Sequence, residues 1–263
     1  MKYISLGIIL LLPILASCKK VEMESQFREN EILIDGKNDD WAGQYTFLEK
    51  EKISIGILND KTHLYLSIGT NDRLLIRKIM GQGFVLWFDA QAGKNKKYGI
   101  RFPLGRQNPG MDFAGERGAR MPDDRQLEAI KTGNELEIIG KDEEILRKVI
   151  LGSTTDFEVK LNLDYGMLQY ELKIPLQKED EFAIGIGTEA GKKIGVGFMT
   201  QEMDREKMRS GMPGGMGGRG GGMKGGGGRM GGGRPGGGMP GGLSQEMMQP
   251  LKIWATVQLA AQD

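Results

Sequence analysis

The feature that most constrains this chain is the alternation of apolar and polar residues with a period of two. Nine segments show it, each rich in β-branched or aromatic residues and bounded by Asn, Asp, Gly or Lys: 52–58, 63–69, 83–89, 97–102, 156–161, 167–176, 181–187, 193–200 and 252–260. Short alternating segments with little helical periodicity between them predict an all-β chain, folded as an antiparallel β-sandwich. Segment 141–151 stays ambiguous, because its apolar residues also form a helical stripe.

The first residues have the pattern of a bacterial export signal. An apolar run over residues 4–15 follows a positively charged start and is too short to cross a bilayer stably. It ends in Leu15-Ala16-Ser17-Cys18, and Cys18 is the only cysteine of the chain. Lipoprotein signals join Leu, small residues and Cys in this way, because the thiol is acylated before cleavage. We therefore expect a signal peptide over 1–17 and a lipid anchor at Cys18.

The anchor implies a place in the bacterial cell envelope. Two or three acyl chains hold a protein on a membrane stably. Lys19 follows the cysteine, where an Asp commonly directs retention in the inner membrane. We therefore expect the outer membrane, with the domain facing either the periplasm or the surface.

Composition divides the rest of the chain. Residues 18–30 are polar without a clear period and are predicted to form a tether, followed by one sandwich domain over 31–260. Residues 104–133 are polar and contain Pro and several Gly, which predicts a long loop. Residues 211–242 contain only Gly, Met, Pro, Arg and Lys. Because such a segment cannot bury enough apolar surface to offset its ordering entropy, we predict a disordered insertion.

Four motifs stand in a characteristic order: Ile34–Trp41 (IDGKNDDW), Asn59–Leu66 (NDKTHLYL), Gly83–Asp89 (GFVLWFD) and Tyr170–Leu176 (YELKIPL). Together with a last strand that contains Trp254, they resemble the family-nine carbohydrate-binding modules and the related DOMON-like sandwiches, over residues 31–260. The resemblance implies a β-sandwich. Members of this group include sugar binders, haem binders and proteins with no known ligand, so the fold does not settle the function.

The alternation also separates the two faces of each strand. If Leu64, Leu66 and Ile68 and their equivalents face the core, the opposite face carries the candidate ligand-binding residues Tyr65, Trp87, Arg101, Glu171 and Trp254. The C–H faces of a sugar stack on flat aromatic rings, while charged and amide groups bind its hydroxyls. Family-nine modules similarly hold sugar between tryptophans. These residues predict a non-catalytic module that binds a carbohydrate or glycan.

The main alternative is a structural or protein-interaction lipoprotein, in which loops cover this face and Trp87 and Trp254 are packed for stability. An envelope protein would then be the partner. An exposed, aligned pair of indoles favours sugar binding, and buried indoles favour the alternative. Trp41, beside the Asp35-Gly36 turn, is expected to fill the end of the sandwich.

Metal binding, haem binding and catalysis have less support in the sequence. Asp35, Asp39, Asp40 and Asp60 could offer oxygen ligands to calcium, although such clusters commonly form turns. His63, the only histidine, is a weak haem candidate, and the methionines of 211–242 could bind copper. No nucleophilic elbow or zinc motif is present, so we expect no enzyme and no cofactor. Net charge is +1, which argues against nucleic acid as a partner.

Overall fold

The computed structural model describes residues 21–30, 32–105, 133–153, 156–180, 183–202 and 249–262. Cys18, the interior of the expected 104–133 loop and the 211–242 segment lie outside the described residues. No helix among the described residues is long and apolar enough to cross a membrane.

The elements in chain order are β1 (Val21–Glu24), β2 (Gln26–Phe27), β3 (Tyr45–Leu48), β4 (Ile53–Asn59), β5 (His63–Thr70), α1 (Arg73–Gln82), β6 (Phe84–Asp89), β7 (Tyr98–Arg101), β8 (Glu135–Ile139), β9 (Ile145–Ile150), β10 (Glu158–Asp164), β11 (Met167–Pro175), β12 (Lys193–Thr200) and β13 (Lys252–Gln258). Short 3-10 turns cover Asp39–Trp41 and Lys141–Glu143.

The strands form two sheets packed as a β-sandwich, which confirms the predicted fold class. Sheet A has the order β1-β13-β12-β6-β7-β8-β9, and sheet B has the order β10-β11-β5-β4-β2, with β3 also paired to β4. Neighbouring strands are antiparallel, except that β1 runs parallel to β13 and β2 runs parallel to β4. Residues of one strand therefore alternate between the core and one outer face.

The core lies between the sheets and contains the apolar set that the alternation predicts. Leu64, Leu66 and Ile68 of sheet B share one buried cluster with Phe84, Leu86 and Phe88 of sheet A. The rings of Phe84 and Tyr170 join the two sheets, with centroids 5.5 Å apart at an interplanar angle of 71°. Burial of these side chains supplies the main stabilisation, about 1.5–3 kcal/mol for each large apolar side chain.

The described residues contain one α-helix, α1, which the alternation did not predict. Asp72 caps its N-terminus by accepting a hydrogen bond from the Leu75 N–H at 2.9 Å, and Gly83 ends it with a φ of +93°. The helix buries Leu75, Ile76, Ile79 and Met80. It fills the connection from sheet B to sheet A with an apolar stripe that a strand could not present.

Three further segments differ from their predictions. Residues 21–27 do not form a tether, because β1 pairs with β13 and buries Met23, while β2 pairs with β4. Residues 183–187 do not form a strand: the N–H of Ile186 donates to the carbonyl of Pro175, the last residue of β11, and the N–H of Gly187 donates to the carbonyl of Leu176, which follows it. The ambiguous segment 141–151 is a turn followed by β9.

Candidate functional site

The five candidate residues divide between the two outer faces of the sandwich. Tyr65 and Glu171 lie on sheet B, on β5 and β11. Trp87, Arg101 and Trp254 lie on sheet A, on β6, β7 and β13. The expectation that all five share one face is therefore corrected, because their strands belong to opposite sheets.

The outer face of sheet B is closed by the chain that precedes β3. Trp41 is fully buried there, against Tyr45 and over Gly56, where an added Cβ would lie 2.7 Å from the Trp41 Cε3. The indole Nε1 donates a hydrogen bond to Glu171 Oε1 at 3.0 Å. Trp41 therefore has a structural role, as expected, but on this outer face and not at the end of the sandwich.

Glu171 holds this covering segment to sheet B. Its Oε2 accepts a hydrogen bond from the Gly36 N–H at 2.8 Å, in addition to the Trp41 bond to Oε1. Burial raises the pKa of this carboxyl from 4.5 to about 7, although both hydrogen bonds favour the charged form. Both oxygens of Glu171 are therefore occupied, and the side chain is fully buried.

Tyr65 is also part of this structural cluster. It is buried with Ile32, Ile34, Trp41 and Leu58. Its hydroxyl donates to Asp60 Oδ2 at 2.8 Å, and Asp60 Oδ1 accepts from the backbone N–H of His63 at 2.7 Å. Asp60 thus shapes the β4–β5 turn.

The other oxygen-rich turn is satisfied in a similar way. Asp35 Oδ1 accepts from the Lys37 N–H at 2.9 Å, and Asp35 Oδ2 forms an ion pair with the Lys37 ammonium. Among the residues that the structure describes, no three His, Cys, Asp or Glu side chains are grouped as metal ligands would be. Asp35 and Asp60 thus shape turns, and binding of calcium, haem or copper stays a hypothesis that rests on the sequence alone.

The outer face of sheet A brings Trp87 and Trp254 together. In register, Gly197 of β12 lies directly between Trp254 of β13 and Trp87 of β6. An added Cβ at Gly197 would lie 3.0 Å from both Cε2 and Cζ2 of Trp254, so the indole lies across the glycine. Trp87 is 1% exposed, whereas Trp254 is partly exposed. The two indoles therefore share a face, but only Trp254 presents surface to a ligand.

Trp87 supports the partly exposed Trp254 ring from the side of the sheet. It packs in a buried cluster with Val85, Ile139 and Met199, against which Trp254 rests. The Lys96 ammonium lies over the Trp87 ring, 5.7 Å from its centroid. The ring is thereby fixed in place and covered by a flexible cationic side chain.

Charged residues that the sequence interpretation did not single out lie next to Trp254. Lys252 forms an ion pair with Glu202, and the resulting hydrogen bond holds the pKa of Glu202 below its ordinary value, with a further contribution from Lys96. Lys252 lies two residues before Trp254 on β13, so the alternation could have placed it on this face. Glu202 and Lys96 follow strand ends, where no periodicity assigns a direction.

Arg101 is committed to neighbouring side chains. Its Nη1 donates to Glu137 Oε2 at 2.8 Å, and its Nη2 donates to Glu143 Oε2 at 2.9 Å. The neighbouring donors and acceptors determine how the Gln201 side-chain amide is oriented. In that orientation, the amide oxygen accepts a hydrogen bond from Arg101 Nε at 3.0 Å. Arg101 is buried, so it positions the β8–β9 turn and does not face a ligand.

Comparison with known proteins gives a distant likeness to sugar-binding modules. No protein-family model matches the sequence, and no curated protein matches it significantly. A family 9 carbohydrate-binding module from Caldicellulosiruptor kristjanssonii in complex with glucose has a TM-score of 0.34 and 13% identity, covering 71% of this chain and 81% of that chain. The same kind of module in complex with cellotriose has a TM-score of 0.33 and 14% identity, covering 72% and 80%. The sugars are ligands of those proteins.

Proposed function

We propose that this chain is a non-catalytic carbohydrate-binding module that binds a glycan on the outer face of sheet A. The observation that carries the proposal is the Trp254 indole, which lies across Gly197, is partly exposed and has the Lys252–Glu202 ion pair beside it. We call Trp254, Gly197, Lys252 and Glu202 the indole platform.

The platform combines the two kinds of contact that sugars need. A flat aromatic face removes the C–H face of a pyranose from water, and the adjacent ammonium and carboxylate can exchange hydrogen bonds with its hydroxyls. The ring rests on the backbone at Gly197 and against the Trp87 cluster, so little side-chain freedom is lost when a ligand binds. Trp87 supports the ring, and Tyr65, Arg101 and Glu171 take no direct part.

We further propose that Cys18, after removal of residues 1–17, anchors the module to the bacterial outer membrane. Only residues 19 and 20 separate Cys18 from β1, and Val21 pairs with Ala255, next to Trp254. At 3.8 Å for each Cα step and about 4.8 Å between strands, Trp254 lies within roughly 20 Å of the anchored residue. This proximity suits a glycan carried close to the membrane surface.

The proposal is tested with a soluble form that begins at Lys19, titrated with a panel of mono- and oligosaccharides. Binding is followed by calorimetry and by acrylamide quenching of tryptophan fluorescence. A bound sugar should protect the one partly exposed indole, and Trp254→Ala should weaken binding roughly tenfold or more, since one aromatic contact is worth about 1.5 kcal/mol.

Tyr65→Phe is the matched control, because it removes only the hydroxyl that binds Asp60 on the opposite sheet. It should leave sugar affinity unchanged. If no sugar of the panel binds, or if Trp254→Ala binds as tightly as the unmodified chain, the glycan proposal is wrong.

One observation favours the alternative of a protein-interaction lipoprotein. Strand β9 ends the strand order of sheet A among the described residues and exposes Ile145, Leu146 and Ile150, whose exposed fractions are 47%, 57% and 61%. Exposed apolar residues on an outermost strand are typical of protein contacts. Site-specific photo-crosslinking in the intact envelope from position 146, compared with position 254, distinguishes the two: an envelope protein captured reproducibly at 146 alone supports the alternative.

A further inference from the structure

A cleft of about 570 Å³ lies beside Trp87, on the same outer face as the indole platform. It is lined by Asn95, Lys96, Lys97, Lys141, Asp142 and Glu143. One wall is the loop between β6 and β7, and the other is the turn between β8 and β9. We call this space the lysine cleft.

The first wall is held by Asp89, the last residue of β6. Its Oδ1 accepts from the Gln91 N–H at 3.1 Å, and its Oδ2 accepts from both the backbone N–H and the side-chain amide of Asn95 at 2.9 Å. Asp89 is buried, and these bonds are partly shielded from water. These hydrogen bonds fix the loop that carries Lys96 and Lys97 to the end of β6.

The second wall is held by Arg101, whose Nη2 binds Glu143 Oε2 at 2.9 Å. The turn places two consecutive non-glycine residues in the left-handed region, with φ of +56° at Asp142 and +61° at Glu143. Such conformations are rare and cluster at functional sites, because surrounding contacts must maintain them. Here the Arg101 bond acts together with two backbone hydrogen bonds, from Gly140 N–H to the Glu144 carbonyl at 2.8 Å and from Glu144 N–H to the Lys141 carbonyl at 3.2 Å.

A row of paired residues on this outer face connects the lysine cleft with the indole platform. Gly99 pairs in register with Trp87, and an added Cβ there would lie 2.8 Å from the Trp87 Cε3. One row thus runs across four strands through Gly99, Trp87, Gly197 and Trp254. At about 4.8 Å for each strand, the row measures roughly 14 Å, and an oligosaccharide that contacts Trp254 at one end is long enough to reach the lysine cleft at the other.

The charges that line the cleft are mainly positive once their partners are counted. Lys96, Lys97 and Lys141 supply three ammonium groups. Of the two carboxylates, Glu143 is paired with Arg101, and Asp142 remains. Asn95 is engaged by Asp89, so the lysines are the main donors that the walls present to a ligand.

We propose that the glycan bound by the platform is acidic, and that the lysine cleft receives its anionic substituent. This inference rests on the proposed carbohydrate function and names the class of glycan. Carboxylate, sulfate and phosphate groups share the chemistry in question, which is oxygen-borne negative charge within reach of several ammonium groups. A neutral glycan could accept hydrogen bonds from these lysines but would gain no charge attraction from them.

The experiment compares glycans that differ only in charge. The probes are trigalacturonic acid against its methyl ester, a sulfated chondroitin tetrasaccharide against its desulfated form, and a phosphorylated mannotriose against mannotriose. Affinities are measured at low and high salt, for the unmodified chain and for a triple variant carrying Lys96→Gln, Lys97→Gln and Lys141→Gln. Each exposed ion pair contributes about a factor of two, so the triple variant should bind its acidic ligand roughly eightfold more weakly.

The matched control is a second triple variant, Lys178→Gln, Lys192→Gln and Lys193→Gln. It removes the same charge from a different cleft, of about 670 Å³, which those lysines line. It should leave the preference for the acidic member of each pair intact, whereas the first variant and high salt should abolish that preference.

Three outcomes overturn the inference. If charged and neutral members bind equally and Trp254→Ala weakens both, the platform binds glycans but the acidic class is wrong. If both lysine variants lose affinity equally, the attraction is a general effect of net charge. If no glycan binds at all, the proposed function fails and the inference fails with it.

Discussion

The two outer faces of the sandwich are built on the same local arrangement and differ in what covers it. On sheet B, Trp41 lies against Gly56, and on sheet A, Trp254 lies across Gly197. The chain before β3 closes the first face, and Glu171 binds both the Trp41 indole and the Gly36 N–H. On the second face, charged side chains border the Trp254 indole and leave it partly exposed.

An indole that lies on a glycine therefore does not by itself identify a binding site. The same packing serves stability when a buried carboxylate and a covering segment complete it, and presents a surface when only mobile charged side chains border it. The covering segment contains the IDGKNDDW motif of Ile34–Trp41, so this motif contributes to closure of sheet B.

The largest expected effect comes from removing each indole in turn. Trp41→Ala should lower the free energy of unfolding by about 4 kcal/mol, because it opens a buried cavity and leaves Glu171 with one hydrogen bond. Trp254→Ala should lower it by about 1 kcal/mol, since that ring is already partly hydrated. Urea unfolding followed by circular dichroism measures both. Equal losses would mean that the two faces are equally closed.

The next largest effect is a pH dependence of stability that comes from the face of sheet B. The pKa of the Glu171 carboxyl is about 7 in the folded chain, against 4.5 for an ordinary Glu. Between these values the folded state binds more protons, so the free energy of unfolding should fall as pH rises, by up to about 3 kcal/mol. The decrease begins near pH 4.5 and ends near pH 7.

Urea unfolding at intervals from pH 4.5 to 7.5 tests this decrease, and Glu171→Gln should flatten it. Glu202→Gln is the control, because it removes a carboxylate from the open face of sheet A. A Glu171→Gln curve as steep as that of the unmodified chain would assign the pH dependence to another group and would contradict the prediction.

The sequence predicted the sandwich and the core because a period of two is a local property. Leu64 and Phe84 show their direction within their own strands, and both reach the core. The sequence could not assign Tyr65 and Trp87 to opposite sheets, because residues on both outer faces show the same period of two. Which sheet a strand joins depends on pairing with strands that are distant in the chain. β1 shows the same limit, since it pairs with β13, more than 200 residues away along the chain.

Helix α1, by contrast, could have been found. Asp72 at the N-cap, Gly83 after the last turn, and apolar residues at 75, 76, 79 and 80 are all local signals. The lysine cleft could not, because Lys96 and Glu143 stand in turns whose shape is set by Asp89 and Arg101. Asp89 acts on the loop that follows its own strand, and Arg101 acts across the sheet on the β8–β9 turn. Neither contact leaves a periodic pattern.

The smallest expected effect is the sharpest test of the contrast between the faces, because it adds one methyl group to each. Gly56→Ala would place its Cβ 2.7 Å from Cε3 of Trp41, a ring that cannot move without breaking its bond to Glu171. We expect a loss of about 2 kcal/mol in the free energy of unfolding. Gly197→Ala meets the Trp254 ring at 3.0 Å and the Cβ of the buried Trp87 at 3.1 Å. The Trp254 ring can tilt toward solvent, whereas Trp87 must shift by a few tenths of an ångström, so the loss should be about 1 kcal/mol, smaller than at Gly56.

The variant that loses less stability, Gly197→Ala, should lose more glycan affinity. Tilting the Trp254 ring disrupts the platform, so Gly197→Ala should weaken glycan binding severalfold and raise acrylamide quenching, while Gly56→Ala should leave both unchanged. If Gly197→Ala instead destabilises the fold as much as Gly56→Ala does, Trp254 is held as firmly as Trp41. Its exposed edge would then belong to a closed surface, and the outer face of sheet A would contribute to stability in the same way as that of sheet B.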